Sequence, residues 1–214
     1  ILILFSRQGK GTPAQEPSSN RCSLAAGFTF SAAVLVKLIP FIYFPMLLFA
    51  TRKRVGTAFG LLAGLILISI PFMPDLTHMF FTLGTYLQHW EYSNFAFRAL
   101  RTVFENGRNA RMILFLFFAA WMILSCAYFY IRRKDSPAEE TLPLFMNTIY
   151  GLTFGFLLLT PTLHPWYALY LAALLPFAAG PAGLALTWAV FLSYRVLIEY
   201  ALLGQWIESE ITAG

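Results

Sequence analysis

Apolar residues run through this chain in long blocks, separated by short polar ones. The blocks lie at 23–50, 55–74, 111–131, 144–162, 166–179 and 183–203. Several approach or exceed the roughly 20 residues with which an α-helix crosses about 30 Å of hydrocarbon. In lipid every backbone polar group must be satisfied within its own segment, so the predicted class is all-α, a polytopic bundle of transmembrane helices. Residues 75–110 have a different pattern. Leu76, Met79, Phe80, Leu83, Leu87 and Trp90 recur at helical spacing, while His78, Thr82, Thr85 and His89 line another face. Phe97, Leu100 and Phe104 then recur opposite Arg98, Arg101 and Glu105. Two amphipathic helices lying in a membrane interface fit both stripes.

The polar blocks set the expected organisation. Residues 1–22 read as the tail of a preceding membrane helix, ILILF, followed by a cytoplasmic connector rich in Pro, Gly and Ser. Helices are expected near 23–36, 40–50, 55–74, 111–131, 144–162, 166–179 and 183–203, with a tail at 207–214. Block 23–50 has two readings. As a single helix it is long for one span, and its start would lie outside. As a hairpin with its apex at Lys37-Leu38-Ile39-Pro40 it keeps both basic flanks in the cytoplasm, and this is the favoured reading.

Composition agrees with the block pattern. The chain is 58% hydrophobic and 12% charged, where a soluble domain carries about 25% charged residues. Much of its +5 net charge sits in Arg52-Lys53-Arg54 and Arg132-Arg133-Lys134, each at the end of an apolar run. That is the positive-inside pattern, so the charge needs no nucleic-acid partner. With both clusters in the cytoplasm of a cell whose inner (plasma) membrane holds the protein, 75–110 is outside. His78, His89 and His164 then share that outer face. Cys22 and Cys126 form neither a metal-ligand spacing nor a disulfide framework.

Lys37 is the costliest residue to insert in lipid, at roughly 2.5–3.5 kcal/mol near a helix centre. It reads either as an ammonium that holds a lipid-linked phosphate or as a snorkelling side chain. The stretch LTPTLHPWYALY, Leu159 to Tyr170, breaks two apolar runs with a histidine between prolines. His164 there suits hydrogen bonding to a phosphate or sugar hydroxyl, or proton transfer. The plainer alternative is a helix-end histidine bonded to backbone carbonyls. Trp166 and Tyr167 read as a stacking wall for a pyranose or isoprenoid, or as interfacial belt residues. Arg98 and Arg101 suit a phosphate clamp or a solvated helix face. Arg195 and Glu199 read as an intrahelical pair. His78 and His89, 11 residues apart, would lie about 16 Å apart on one helix, too far to share a metal ion. No cofactor is identified, and a divalent metal, though compatible with the class, has no support in the sequence: GxSxG, HExxH and a glycine-rich phosphate loop are all lacking.

Three stretches resemble one family. VLVKLIPFIYFPMLLFATRKR is similar to its Lys–Pro helix and basic turn, and HWEYSNFAFRALRTVFENGRNAR to its aromatic–Asn outer segment. LLLTPTLHPWYALYLAALLP, followed by LSYRVLIEYALLGQW, is the most specific of the three. Together they resemble the GT-C superfamily of polyprenyl-phosphate-sugar-dependent glycosyltransferases, near the bacterial mannosyltransferase-like integral membrane proteins. The likeness covers most of 23–206, the C-terminal part of such an enzyme. Ser93-Asn94-Phe95 departs from the Asn-Gly-Ser pattern expected there.

The resemblance implies transfer of a sugar, with mannose suggested, from a polyprenyl-phosphate donor to an acceptor on the extracytoplasmic face. The catalytic aspartate is expected on a loop N-terminal to this chain. It would deprotonate the acceptor hydroxyl, which attacks the anomeric carbon with inversion. Lys37 is implied as the cation at the leaving phosphate, with His164 and Arg98 as weaker candidates, and Asn94, Trp166 and Tyr167 as further substrate contacts. Competing classes are a transporter or lipid flippase, for which two symmetric halves are expected and no internal repeat is present, and a non-catalytic membrane subunit.

Overall fold

A computed structural model describes residues 20–51, 53–89, 95–137, 140–178, 180–192 and 200–204. The protein is all-α over these residues. Its helices are α1 Asn20–Val36, α2 Phe44–Ala50, α3 Arg54–Ser69, α4 Leu76–His89, α5 Phe95–Phe104, α6 Gly107–Asp135, α7 Thr141–Leu159, α8 Ala168–Ala172 and α9 Pro181–Leu192. Among the described residues, three stretches are long and apolar enough to cross a membrane: Arg54–Tyr86, Gly107–Asp135 and Thr141–Leu159. They make this a membrane protein. The chain divides into two compact units, Ile1–Phe81 with Cys126–Phe145, and Thr82–Ser125 with Met146–Gly214.

In the first unit, two rows of small residues set how closely α1 and α3 approach. Ser23, Gly27 and Ser31 recur every fourth residue on α1, as Gly56, Gly60 and Gly64 do on α3. A Cβ added at Gly27 would meet the backbone of Thr57 and Leu61, and one at Gly60 would meet the backbone of Leu24. Gly56 faces Ser23 and Gly64 faces Ser31. Backbones pack this tightly only where side chains are minimal, as in small-xxx-small contacts of membrane helices. The offset between partners stays constant along the contact, so α1 and α3 run parallel. At one end of the pair, Lys53 Nζ donates to Asn20 Oδ1 at 2.7 Å.

The break after Val36 lies at the other end. The Lys37 N–H still bonds the Ala33 carbonyl at 3.2 Å, but Pro40 has no N–H to offer Val36. The chain turns at Lys37 and Leu38, and returns through a 3₁₀ turn, Ile39–Tyr43, and α2 to the start of α3. On the way Leu47 packs with Phe30, Val34 and Leu61, and Phe44 stacks on Phe30 at 6.2 Å. Residues 23–50 are therefore not one helix. The constant offset carried past Ser31 and Gly64 sets Lys37, which is exposed, level with the far end of α3.

Two expected boundaries differ. The sequence predicts a division between a membrane helix at 55–74 and an outer segment from 75, yet Arg54–Tyr86 is one helical stretch of 33 residues. Within it Ile70–Asp75 is 3₁₀ and holds Pro71 and Pro74, each of which removes a backbone donor without ending the helical run. The expected span at 166–179 is corrected more strongly. It consists of a 3₁₀ turn, Pro165–Tyr167, the five-residue α8 and a run of turns, too short to cross hydrocarbon. Leu174 and Leu175 bond back three residues, to Leu171 and Ala172, as the chain tightens before Pro176.

The first unit also holds the end of α6. Phe129 meets Phe145 edge-on at 5.9 Å, and Tyr130 meets Phe49 at 5.7 Å. The basic end of α6 thus lies beside the basic start of α3.

In the second unit Phe97 of α5 is buried with Ala110 and Leu114 of α6, against Leu159. Trp121 donates its indole N–H to the Gly151 carbonyl at 3.0 Å, and its ring occupies the space a Cβ on Gly155 would need. The Tyr150 hydroxyl donates to the Gly180 carbonyl at 3.3 Å. Leu157, Leu163, Ala168, Leu171 and Val190 form the core around the break that follows α7. Arg195 and Glu199 lie outside the described residues, as does most of the expected connector.

Candidate functional site

The site is built on the link from α7 to α8. Thr160 closes α7 through its N–H to the Phe156 carbonyl at 2.8 Å. Pro161 then has no N–H with which to continue the ladder. His164 precedes a proline and is extended, with φ −73° and ψ 145°, as that position favours. Pro165 starts a 3₁₀ turn in which the Tyr167 N–H bonds the His164 carbonyl at 2.9 Å. The two prolines thus force the backbone out of helix and lay three ring-bearing residues in one tight turn.

Those rings form a cluster. The His164 imidazole stacks on Trp166 with ring centres 4.3 Å apart and planes 14° apart. Tyr167 meets the imidazole edge-on at 5.5 Å and the indole at 6.3 Å. Thr162, Leu163, His164 and Pro165 are all buried, while Trp166 stays 43% exposed. The Tyr167 and Tyr86 hydroxyls lie 2.9 Å apart, which ties the turn to α4 across 81 positions of sequence.

Burial pushes the His164 imidazole below the ordinary histidine pKa, because desolvation penalises the charged form. The ring is neutral at pH 7 and offers one N–H donor and one acceptor. A neutral imidazole hydrogen-bonds an oxyanion without neutralising its charge. Burial, then the Tyr86 hydroxyl, pushes the Tyr167 phenol up, so it stays protonated as a hydrogen-bond donor or acceptor. The arrangement presents a partly exposed indole beside a neutral imidazole. Such a surface suits an apolar or sugar face together with a hydroxyl or phosphate oxygen.

The other sequence-predicted residues lie on other elements. Arg98 and Arg101 are exposed on α5, away from its buried residue Phe97. Lys37 belongs to the first unit, at the turn after α1. Asn94 lies outside the described residues, as does the side chain of His89. Among the described residues, no three His, Cys, Asp or Glu side chains gather where they would hold a metal ion. Tyr86 is a member of the cluster that sequence reasoning missed. Its signal was its place three residues after Leu83, beside the apolar stripe of α4.

Taken together, fold and site define a membrane-helix protein with an aromatic–histidine cluster at a proline-broken helix junction. Comparison with protein-family models, curated proteins and solved structures gives no significant match.

Proposed function

We propose that the chain is part of an integral membrane glycosyltransferase that moves a sugar, mannose being the one suggested, from a polyprenyl-phosphate donor to an acceptor outside the cytoplasm. One observation carries the reading. The His-Pro-Trp-Tyr junction, the most specific stretch of the GT-C resemblance, folds into a buried imidazole stacked on a partly exposed indole. In this reading Trp166 and Tyr167 stack on the sugar or the first isoprene, and neutral His164 hydrogen-bonds an oxygen of the donor. The resemblance implies Lys37 as the cation that stabilises charge developing on the leaving lipid phosphate. Arg98 and Asn94 are further donor contacts, and the general base is an aspartate that the resembled enzymes carry nearer the N-terminus. The positive-inside rule puts the basic ends of α3 and α6 in the cytoplasm. In this reading α7 then runs outward from its cytoplasmic start.

The test is transfer of labelled sugar from a polyprenyl-phosphate donor by the purified full-length protein and its variants. His164→Ala and Lys37→Ala should each lower turnover by about 10²-fold, the loss typical of one transition-state contact to developing negative charge. Both proteins should still insert and fold. Wild-type rates in both would end this assignment of the site.

A further inference from the structure

A second candidate site lies within the first unit, at the basic start of α3 and the basic end of α6. A cavity of about 360 Å³ is lined by Phe49, Thr51, Arg54, Tyr130, Arg133 and Lys134. These residues come from the end of α2, the α2–α3 link, the start of α3 and the last turns of α6, and all belong to the first unit. Three of the six are cations and none is a carboxylate. Two aromatic rings organise them. Phe49 and Tyr130 touch at 5.7 Å, the Arg54 guanidinium lies 5.2 Å from the centre of Phe49, and Lys134 Nζ lies 4.6 Å from the centre of Tyr130. Each cation–π contact holds its charge over the ring face at a defined height. Neighbouring Lys53 is instead turned to Asn20. The ring pair therefore brings cations from two helices, distant in sequence, to one cavity.

Like charges held together repel, and an anion seated among them converts that repulsion into attraction. Arginine matches two phosphate oxygens at once, and lysine adds a point charge. The cavity volume is at the small end of ligand sites, large enough for a phosphate with its immediate substituents and too small for a folded partner. Basic pockets between membrane helices at the cytoplasmic side characteristically receive anionic lipid headgroups. Here the cavity sits where three-residue basic clusters end two apolar helices. We infer that Arg54, Arg133 and Lys134 form a phosphate-binding site, whose ligand is the phosphodiester headgroup of an anionic membrane lipid. The site is independent of the glycosyltransferase reading and stands whether or not that reading fails.

The experiment follows thermal unfolding of the full-length protein in a nonionic detergent, titrated separately with dioctanoyl-phosphatidylglycerol, dioctanoyl-phosphatidylcholine and inorganic phosphate. A ligand that binds only the folded state raises Tm in a saturable way. Phosphatidylglycerol should do so and phosphatidylcholine should not. Saturable stabilisation by inorganic phosphate with none by phosphatidylglycerol would overturn the lipid ligand and assign the site a soluble phosphate. The double variant Arg54→Gln/Lys134→Gln should raise the apparent Kd for phosphatidylglycerol at least tenfold, while Arg108→Gln, at the far end of α6, leaves it unchanged. Apparent Kd should also rise with sodium chloride, because exposed cations are screened. This salt dependence of the wild-type protein decides the matter even if the double variant does not fold. Equal stabilisation by the two lipids, a Kd indifferent to salt, or wild-type affinity in a folded double variant would each overturn the inference.

Discussion

His164 is where one residue's surroundings most change what it can do. In sequence it is an imidazole that could carry a charge to a phosphate. Folded, it is stacked on Trp166 and buried, and burial lowers its pKa from the ordinary value of 6.5. A histidine whose folded pKa is depressed binds fewer protons than the unfolded chain does, so it adds stability above pH 6.5 and loses it as pH falls through the folded value. The wild-type protein should therefore lose Tm more steeply than His164→Gln as the pH is lowered from neutral into the acid range below 6.5. Melts of the two proteins in one detergent across that range measure the difference. Parallel curves would mean that the ring titrates normally and that its burial is lost in solution.

At the scale of elements, the contrast lies between glycines that touch a neighbouring backbone and glycines that do not. The Cβ of Gly60→Ala would collide with the Leu24 backbone, which cannot rotate aside, so α1 and α3 must separate. Overpacking of this kind costs about 1–3 kcal/mol. A Cβ at Gly151 would meet nothing within 4 Å, so Gly151→Ala should be neutral or stabilise α7 by up to about 1 kcal/mol through helix propensity alone. Reversible unfolding of the two variants in mixed micelles should separate them in sign. Gly60→Ala at wild-type stability would show that the parallel α1–α3 contact does not form. The same pair of elements fixes the position of Lys37. Its level beside the far end of α3 follows from the glycine rows, while Pro40 alone says only that the helix must stop.

For the whole molecule, topology decides which segments share a side of the membrane. The Gly107–Asp135 helix is long enough to span, with its basic cluster at one end. Cysteines introduced at Asn106 and Asp135 should then be labelled from opposite sides of intact cells, the Asp135 site only after permeabilisation. Labelling of both from one side would exclude α6 as a span. The helical class, the membrane-length stretches, the basic helix ends and the two breaks at Pro40 and Pro161–Pro165 were legible in the sequence. Each depends on a residue and its close neighbours: an apolar run excludes water, a proline removes a donor, and a cation avoids hydrocarbon. Less was legible where distance along the chain mattered. Block 166–179 has the composition of a span, yet turns shorten it. The 33-residue separation of Asn20 and Lys53, the union of Arg54 with Lys134, and the Tyr86–Tyr167 bond across 81 positions come only from the tertiary structure. Local pattern specifies which residues leave water, but which buried faces then meet depends on how closely the backbones can approach, and only the packed helices decide that.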